Sequence, residues 1–207
     1  MNILLVSASK KELSSIIKKI KYPIDYLITG IGTTSLSYLL TKKIQNKNFD
    51  LIINIGIAGS FKQDIPIGEI VFVKNEIFAD LGIEEKNKFV PISKSNLSDL
   101  CESSFSCNYK HSFLKDLPRT SSITVCRTSG QIQTIKERIR LFNPDIENME
   151  GAAFFQICQK ENIPFVEIRS ISNFVTERDS SLWNIPLAIT NLEKFTIQFI
   201  NLLNSTQ

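Results

Sequence analysis

Residues 50–60 read DLIINIGIAGS. Leu51, Ile52, Ile53 and Ile55 follow one another without the polar alternation of a strand that has one wet face, and glycines close the run. A short continuous apolar run of this kind reads as a strand covered on both faces, the condition of a sheet with parallel pairing between helical layers. The surrounding chain alternates to match. NILLVSA (2–8) and IDYLITG (24–30) are strand-like, and KKELSSIIKKI (10–20) and TTSLSYLLTKKI (33–44) are helical. EIVFVKNEIFA (69–79) is a longer strand with a possible bend, and SITVCRTSG (122–130) is another strand. The helix IQTIKERIRLF (132–142), the short strand DIENM (145–149) and the helix GAAFFQICQKEN (151–162) come next. The strand PFVEIRSISN (164–173) and a long closing helix, IPLAITNLEKFTIQFINLL (185–203), complete the pattern. The expected fold is α/β: a three-layer α/β/α sandwich around a mixed, largely parallel sheet, with residues 1–207 as one domain. Residues 85–120 are polar and Ser/Lys-rich and show no clear period.

Composition narrows the function. A hydrophobic fraction of 43% and a net charge of +3, with no basic stripe, give no sign of a nucleic-acid partner. Four Cys without a C-x-x-C pair, together with one His, form no zinc pattern, and the expectation is free thiols in the cytoplasm. No apolar segment reaches membrane-spanning length. No metal or cofactor is expected.

In such a fold, ligands bind at the carboxyl ends of the strands. That rule selects Ser7, Ala8, Ser9 and Glu12 after the first strand, then the glycine loops TGIGT and NIGIAGS. It also selects Glu150 and the RSISN end of the last strand. GIGTTS lacks the third glycine of a dinucleotide fingerprint and GIAGS lacks the Lys of a phosphate-binding loop, so both also read as tight strand-to-helix turns. Strand alternation puts Arg169, Ile171 and Asn173 on one face and Ser170 and Ser172 on the other. Arg169 and Asn173 are then about 13 Å apart. Arg169 also reads as a buried ion pair with Glu150 or Glu12, Asn173 as a turn residue, and Trp183 as a core anchor.

The stretch ENMEGAAFF (147–155) places acids beside Gly151, Ala152 and Ala153. The helix dipole favours Glu150 by about 0.3–1 kcal/mol but does not explain the small residues, which imply that something approaches the helix closely.

ENMEGAAFF with IPFVEIRSISN resembles the signature of the nucleoside phosphorylase/nucleosidase superfamily. IINIGIAGSF, IGEIV, ITGIGTTS and ILLVSASKKEL extend the resemblance over most of the chain in order, with 85–120 unmatched. Within that superfamily the chain is similar to the methylthioadenosine/S-adenosylhomocysteine nucleosidases. Through FADLG, RSISN and LWNIPLAI it is more similar still to the futalosine hydrolases of menaquinone biosynthesis.

The resemblance implies specific roles. Glu150 binds the ribose hydroxyls and Met149 lines the sugar, with the small residues admitting it to the helix end. Glu12 is the general base and Arg169 helps hold the attacking water. Ile57, Ala58 and Gly59 border the substrate, Asn173 contacts the base, and Trp183 is an aromatic lid. It also implies a small nucleoside substrate and a homodimer or higher homo-oligomer. The family's water-binding Ser is replaced here by Ile57. Phosphorolysis needs cations near the early loops, and no Arg precedes Arg119, so water is the expected nucleophile. Neither Glu12 nor Glu150 is expected to hold the core together. Asn173 in place of Asp favours a 6-oxopurine, hence hypoxanthine release, over adenine.

Overall fold

The computed structural model describes residues 1–86 and 88–205; Asn87, within the polar stretch, and residues 206–207 lie outside the described residues. The strands are β1 (Ile3–Ser7), β2 (Asp25–Ile28), β3 (Leu51–Ser60), β4 (Ile70–Phe78), β5 (Gly82–Glu85), β6 (Lys88–Pro91), β7 (Ser104–Ser106), β8 (Arg119–Thr124), β9 (Ile146–Asn148) and β10 (Phe165–Phe174). The α-helices are α1 (Lys10–Lys19), α2 (Thr33–Asn46), α3 (Ile132–Phe142), α4 (Gly151–Lys160) and α5 (Ile185–Ser205).

The main sheet runs β2-β1-β3-β9-β8-β4-β10, and β10 returns to pair with β3, so β3, β9, β8, β4 and β10 close on themselves. Pairing is mixed and largely parallel: β1 with β2 and β3, β10 with β3, and β4 and β9 with β8 are parallel, whereas β10–β4, β3–β9 and β4–β7 are antiparallel. α1 and α5 pack together on one side, and α2 packs with α4 on the other. This is the three-layer fold expected from the alternation of apolar runs.

Three local readings are corrected. The strand placed at 122–130 begins earlier, at Arg119, and ends at Thr124; Val125–Gly130 then leave the sheet as a loop. The polar 85–120 stretch contributes the β5–β6 hairpin, three short 3-10 turns and β7. In β10 the register slips between Ile171 and Asn173, a bulge that breaks the alternation read from the sequence. Ile171 points into the core, fully buried, rather than sharing a face with Asn173. The possible bend in the fourth strand is present as a register slip between Val73 and Asn75.

One edge of β3 is shared in a way that makes the site. β1 pairs with Leu51–Ile55 and β9 pairs with Gly59 and Ser60. Between them, Gly56–Ala58 have no neighbouring strand on that edge. A cavity of about 400 Å³ opens there.

Candidate active site

Glu12 is set by its own helix start. Ser9 caps α1 and Glu12 returns the bond from the third position, the reciprocal capping box of an S-x-x-E sequence. The carboxylate is buried rather than being an exposed helix-start acid. Its Oε2 accepts from Ser7 Oγ (2.9 Å), Ser9 N (3.0 Å) and Ser9 Oγ (2.7 Å). Its Oε1 accepts the Ile57 N–H at 3.1 Å, an amide from the stretch of β3 left without a strand partner. Lys10 and Lys11 beside it are exposed.

Arg169 crosses beneath β3. A Cβ on Gly56 would stand 2.1 Å from Arg169 Nη1 and 3.2 Å from Glu12 Oε1, so only glycine leaves the guanidinium room beside β3. Arg169 Nε donates to Glu167 Oε1 at 2.9 Å, and Nη2 lies 3.9 Å from Glu150 Oε2. Its ion-pair partner at hydrogen-bonding distance is thus Glu167. The Nη2 atom has no hydrogen-bond partner among the described residues. Burial works against the charge, but Glu167, Glu150 and Glu12 outweigh it and hold the guanidinium firmly protonated.

Glu150 is the N-cap residue of α4, yet its side chain does not cap the helix. Oε1 instead accepts the Gly32 N–H at 2.8 Å, from the glycine loop after β2. Burial pushes its carboxyl above the usual range, against the pull of Arg169 and the Gly32 amide. The small residue that follows has a different purpose from the one expected. A Cβ on Gly151 would meet Glu76 Oε1 at 2.1 Å and Glu167 Oε1 at 2.8 Å, so the groups that approach the helix end here are two buried carboxylates.

The nine residues singled out for the site, Glu12, Ile57, Ala58, Gly59, Met149, Glu150, Arg169, Asn173 and Trp183, all line this one cavity. The bulge brings Ser172 to it beside Asn173. Ser172 Oγ donates to Asn173 Oδ1 at 2.7 Å, and Asn173 Nδ2 donates to the Phe174 carbonyl at 3.1 Å, which fixes which end of the amide is which. Trp183 is half-buried at the cavity, with the Arg178 guanidinium over its ring at 5.1 Å, and is not a core anchor.

Several lining residues escaped the sequence reading: Thr128, Ser129, Asn148, Arg178 and Glu147 in its structural role. Glu147 accepts from Ser129 N (2.8 Å), Ser129 Oγ (2.6 Å) and Arg138 Nη1 (3.2 Å); burial raises its carboxyl despite these donors. Arg138 is buried and its Nη2 also reaches Asp80 at 2.8 Å.

Among the described residues there is no cluster of metal-ligating side chains and no helix long and apolar enough to cross a membrane. Chemically, the cavity offers a buried carboxylate beside a cation at one end, a second carboxylate at a helix start, and an oriented amide next to an aromatic ring.

Comparison with known proteins agrees with the fold. The chain is 25% identical over 179 residues to the futalosine hydrolase of Streptomyces coelicolor, covering 81% of this chain and 74% of that one. It is 29% identical over 198 residues to the 5'-methylthioadenosine/S-adenosylhomocysteine nucleosidase of Buchnera aphidicola, covering 89% and 82%. A solved futalosine hydrolase of Helicobacter pylori shares the fold with a TM-score of 0.79 at 17% identity, over 97% of this chain and 99% of that one. The phosphorylase superfamily model matches residues 11–201, and with the strand order, the cavity and its acids already described, the chain belongs to the phosphorylase superfamily.

Proposed function

We propose that the chain is a nucleosidase that hydrolyses the N-glycosidic bond of a 6-oxopurine nucleoside. The favoured substrate is futalosine, cleaved to hypoxanthine and dehypoxanthine futalosine as in menaquinone biosynthesis. The observation that carries hydrolysis is the meeting of Glu12, Arg169 and Glu150 in one cavity. A carboxylate at the nucleophile's place takes a proton from water and repels phosphate. Water then attacks the anomeric carbon and one of its protons passes to Glu12, while the C–N bonding pair leaves with the base, which takes a proton on N7 from solvent; Glu12 afterwards returns its proton to solvent. The ribosyl group becomes cationic on the way. Glu150, accepting from the ribose diol, stabilises that charge where it develops. Met149 lies under the sugar and Trp183 over the cavity mouth.

The choice of base rests on Asn173, whose amide has one hydrogen and one lone pair left after its bonds to Phe174 and Ser172. The similar identity to methylthioadenosine/S-adenosylhomocysteine nucleosidases supports a second reading with adenine as the leaving base. The cavity is open beside Ile31, which is 68% exposed, and a second copy of the chain covering that side chain would close the sugar end.

The test is turnover of futalosine, methylthioadenosine and inosine in phosphate-free buffer, with chromatography of the bases. Hypoxanthine released from futalosine at a kcat/KM well above that for methylthioadenosine supports the reading. A phosphate requirement with ribose 1-phosphate products overturns hydrolysis, and faster adenine release overturns the choice of base.

A further inference from the structure

Two acids in the interior have no part in the chemistry above. Glu76 of β4 and Glu167 of β10 are both 0% exposed. They converge on the start of α4, where each lies within reach of the one point that a Gly151 Cβ would occupy. Asn148 joins them. Its Nδ2 donates to Glu76 Oε1, to Ser122 Oγ (2.8 Å) and to Glu167 Oε1 (3.3 Å). Its Oδ1 accepts the N–H groups of Glu150 (2.9 Å) and Gly151 (2.7 Å), and so caps the helix whose first residues carry the sugar-binding acid. Glu167 in turn accepts from Arg169 Nε at 2.9 Å and from Asn54 Nδ2 at 3.2 Å.

We propose that Glu167 is the positioning residue of the site: it orients Arg169 through Nε and, through Asn148, fixes the α4 start that carries Glu150. The proposal rests on the nucleosidase reading. Its physical basis is rigidity. With Nε held, the guanidinium cannot rotate, and the unpartnered Nη2 stays on the side of Glu150 and the cavity. A group that stabilises a transition state must not reorganise during the reaction. Glu167 never touches the substrate and acts only through Arg169 and Asn148.

Glu76 differs in kind. One guanidinium faces Glu12 from α1, Glu150 from the start of α4, and Glu167. The polar partners of Glu76 are neutral: Thr124 Oγ1 at 2.7 Å, Asn148 and Ser122. Two buried carboxylates this close do not both stay charged around a single cation, and the one without the cation takes the proton. Burial first, and then the charge on Glu167, push the Glu76 carboxyl well above its ordinary value. The remaining titratable neighbours of Glu167 are thiols: Cys107, pushed by burial up to about 11, and Cys158, raised by the same cause. Both are neutral at working pH.

The two acids therefore respond oppositely to the same substitution. Glutamine copies a neutral carboxyl but cannot hold a guanidinium. Glu167→Gln is expected to lower kcat about 10²-fold, the scale of a misplaced catalytic group, with KM changed less than about threefold. Glu76→Gln should keep both parameters within about threefold of the natural protein. Glu167→Asp retains the charge but withdraws it, and should fold and lose about tenfold in kcat. In an Arg169→Lys background, adding Glu167→Gln should cost at least several-fold less than it does in the natural protein, because one of the two groups it holds is gone and only the contact with Asn148 remains. The assay uses whichever of futalosine, methylthioadenosine and inosine the natural protein cleaves fastest. If the natural protein cleaves none, the nucleosidase reading fails. If it cleaves one and Glu167→Asp is fully active, or Glu76→Gln loses as much kcat as Glu167→Gln, the positioning role is wrong.

Discussion

The Ile57 amide donates to Glu12 Oε1 at 3.1 Å while the Ser9 amide donates to Glu12 Oε2 at 3.0 Å, so each oxygen of this carboxylate is gripped by a backbone N–H that cannot turn away. Glutamine at position 12 must therefore present its NH₂ to one of the two. Glu12→Gln should lower kcat/KM by at least about 10²-fold, and the donor facing a donor should also cost about 1–3 kcal/mol of stability. Glu150→Gln has one such amide, from Gly32, and its other oxygen lies 3.9 Å from Arg169; it should lose similar activity with a smaller change in stability. Both are read by kinetics beside thermal melting. A fully active Glu12→Gln protein removes Glu12 from the base role. The expectation that neither acid holds the core together is thus tested more severely at Glu12 than at Glu150.

Gly151→Ala reverses the usual effect of alanine in a helix. Alanine normally stabilises a helix by up to about 1 kcal/mol relative to glycine. Here the added Cβ runs into Glu76 and Glu167 from 2.1 and 2.8 Å, and neither can retreat without dropping Asn148 or Arg169. A loss of about 1–3 kcal/mol is expected by denaturant unfolding. An unchanged midpoint would show that the acids have room to move.

The pH dependence of stability follows from Glu76. Its carboxyl is raised in the folded protein and ordinary, near 4.5, when unfolded. Below that value both states are protonated and the contribution is complete. As pH rises above it, the unfolded chain releases a proton that the folded protein keeps, and stability is lost progressively up to the folded value. Glu147 and Glu150, also raised by burial, act in the same direction. The natural protein should lose more Tm than Glu76→Gln as pH is raised from about 4.5 through neutrality, because glutamine has no proton to keep. Parallel curves for the two proteins would mean that Glu76 is charged when folded.

How much of this could be read from the sequence depended on the range of the interaction that decides each feature. DLIINIGIAGS announced a buried strand because burial on both faces acts on every residue of the run. Ser9 and Glu12 sit at capping-box spacing, a local signal that locates this acid at a helix start. Glu76 and Glu167 are each the one acid of a stretch within a run read as a strand, VKNEIF and FVEIRS. A lone acid in a strand covered on both faces must find a partner, and that signal was present and not followed. What it could not name was the partner, since Glu76 and Asn148 are 72 residues apart. The bulge at Ser172 left no trace, because nothing in RSISN distinguishes a strand that slips by one residue from one that does not.

Trp183 was read equally well as a core anchor or a lid. Its place at the cavity beneath Arg178 predicts a binding phenotype. Trp183→Ala should raise KM about tenfold, the loss of an aromatic face and a cation–π contact, with kcat affected less. It should destabilise far less than the roughly 3–5 kcal/mol of a truncated core tryptophan. A large drop in stability with KM unchanged would restore the core reading.

On the proposed reading Asn173 selects the base, and its neighbours determine how a substitution there must behave. Ser172 Oγ donates to Oδ1, and Nδ2 donates to the Phe174 carbonyl, so the amide cannot flip without setting like against like. The free hydrogen on Nδ2 matches a 6-oxo group, and the free lone pair on Oδ1 accepts from a protonated N7. A 6-amino group would instead face a donor, costing roughly 1–3 kcal/mol, or about 10- to 100-fold in kcat/KM. In Asn173→Asp the oxygen replacing Nδ2 faces the Phe174 carbonyl and needs a proton to do so. Its lone pairs then meet the base, and they accept from an amino group. The variant should gain on methylthioadenosine and lose on futalosine, reversing the order expected of the natural protein. The four kcat/KM values settle it: equal rates on both substrates before the substitution, or the same order after it, would show that another group reads the base.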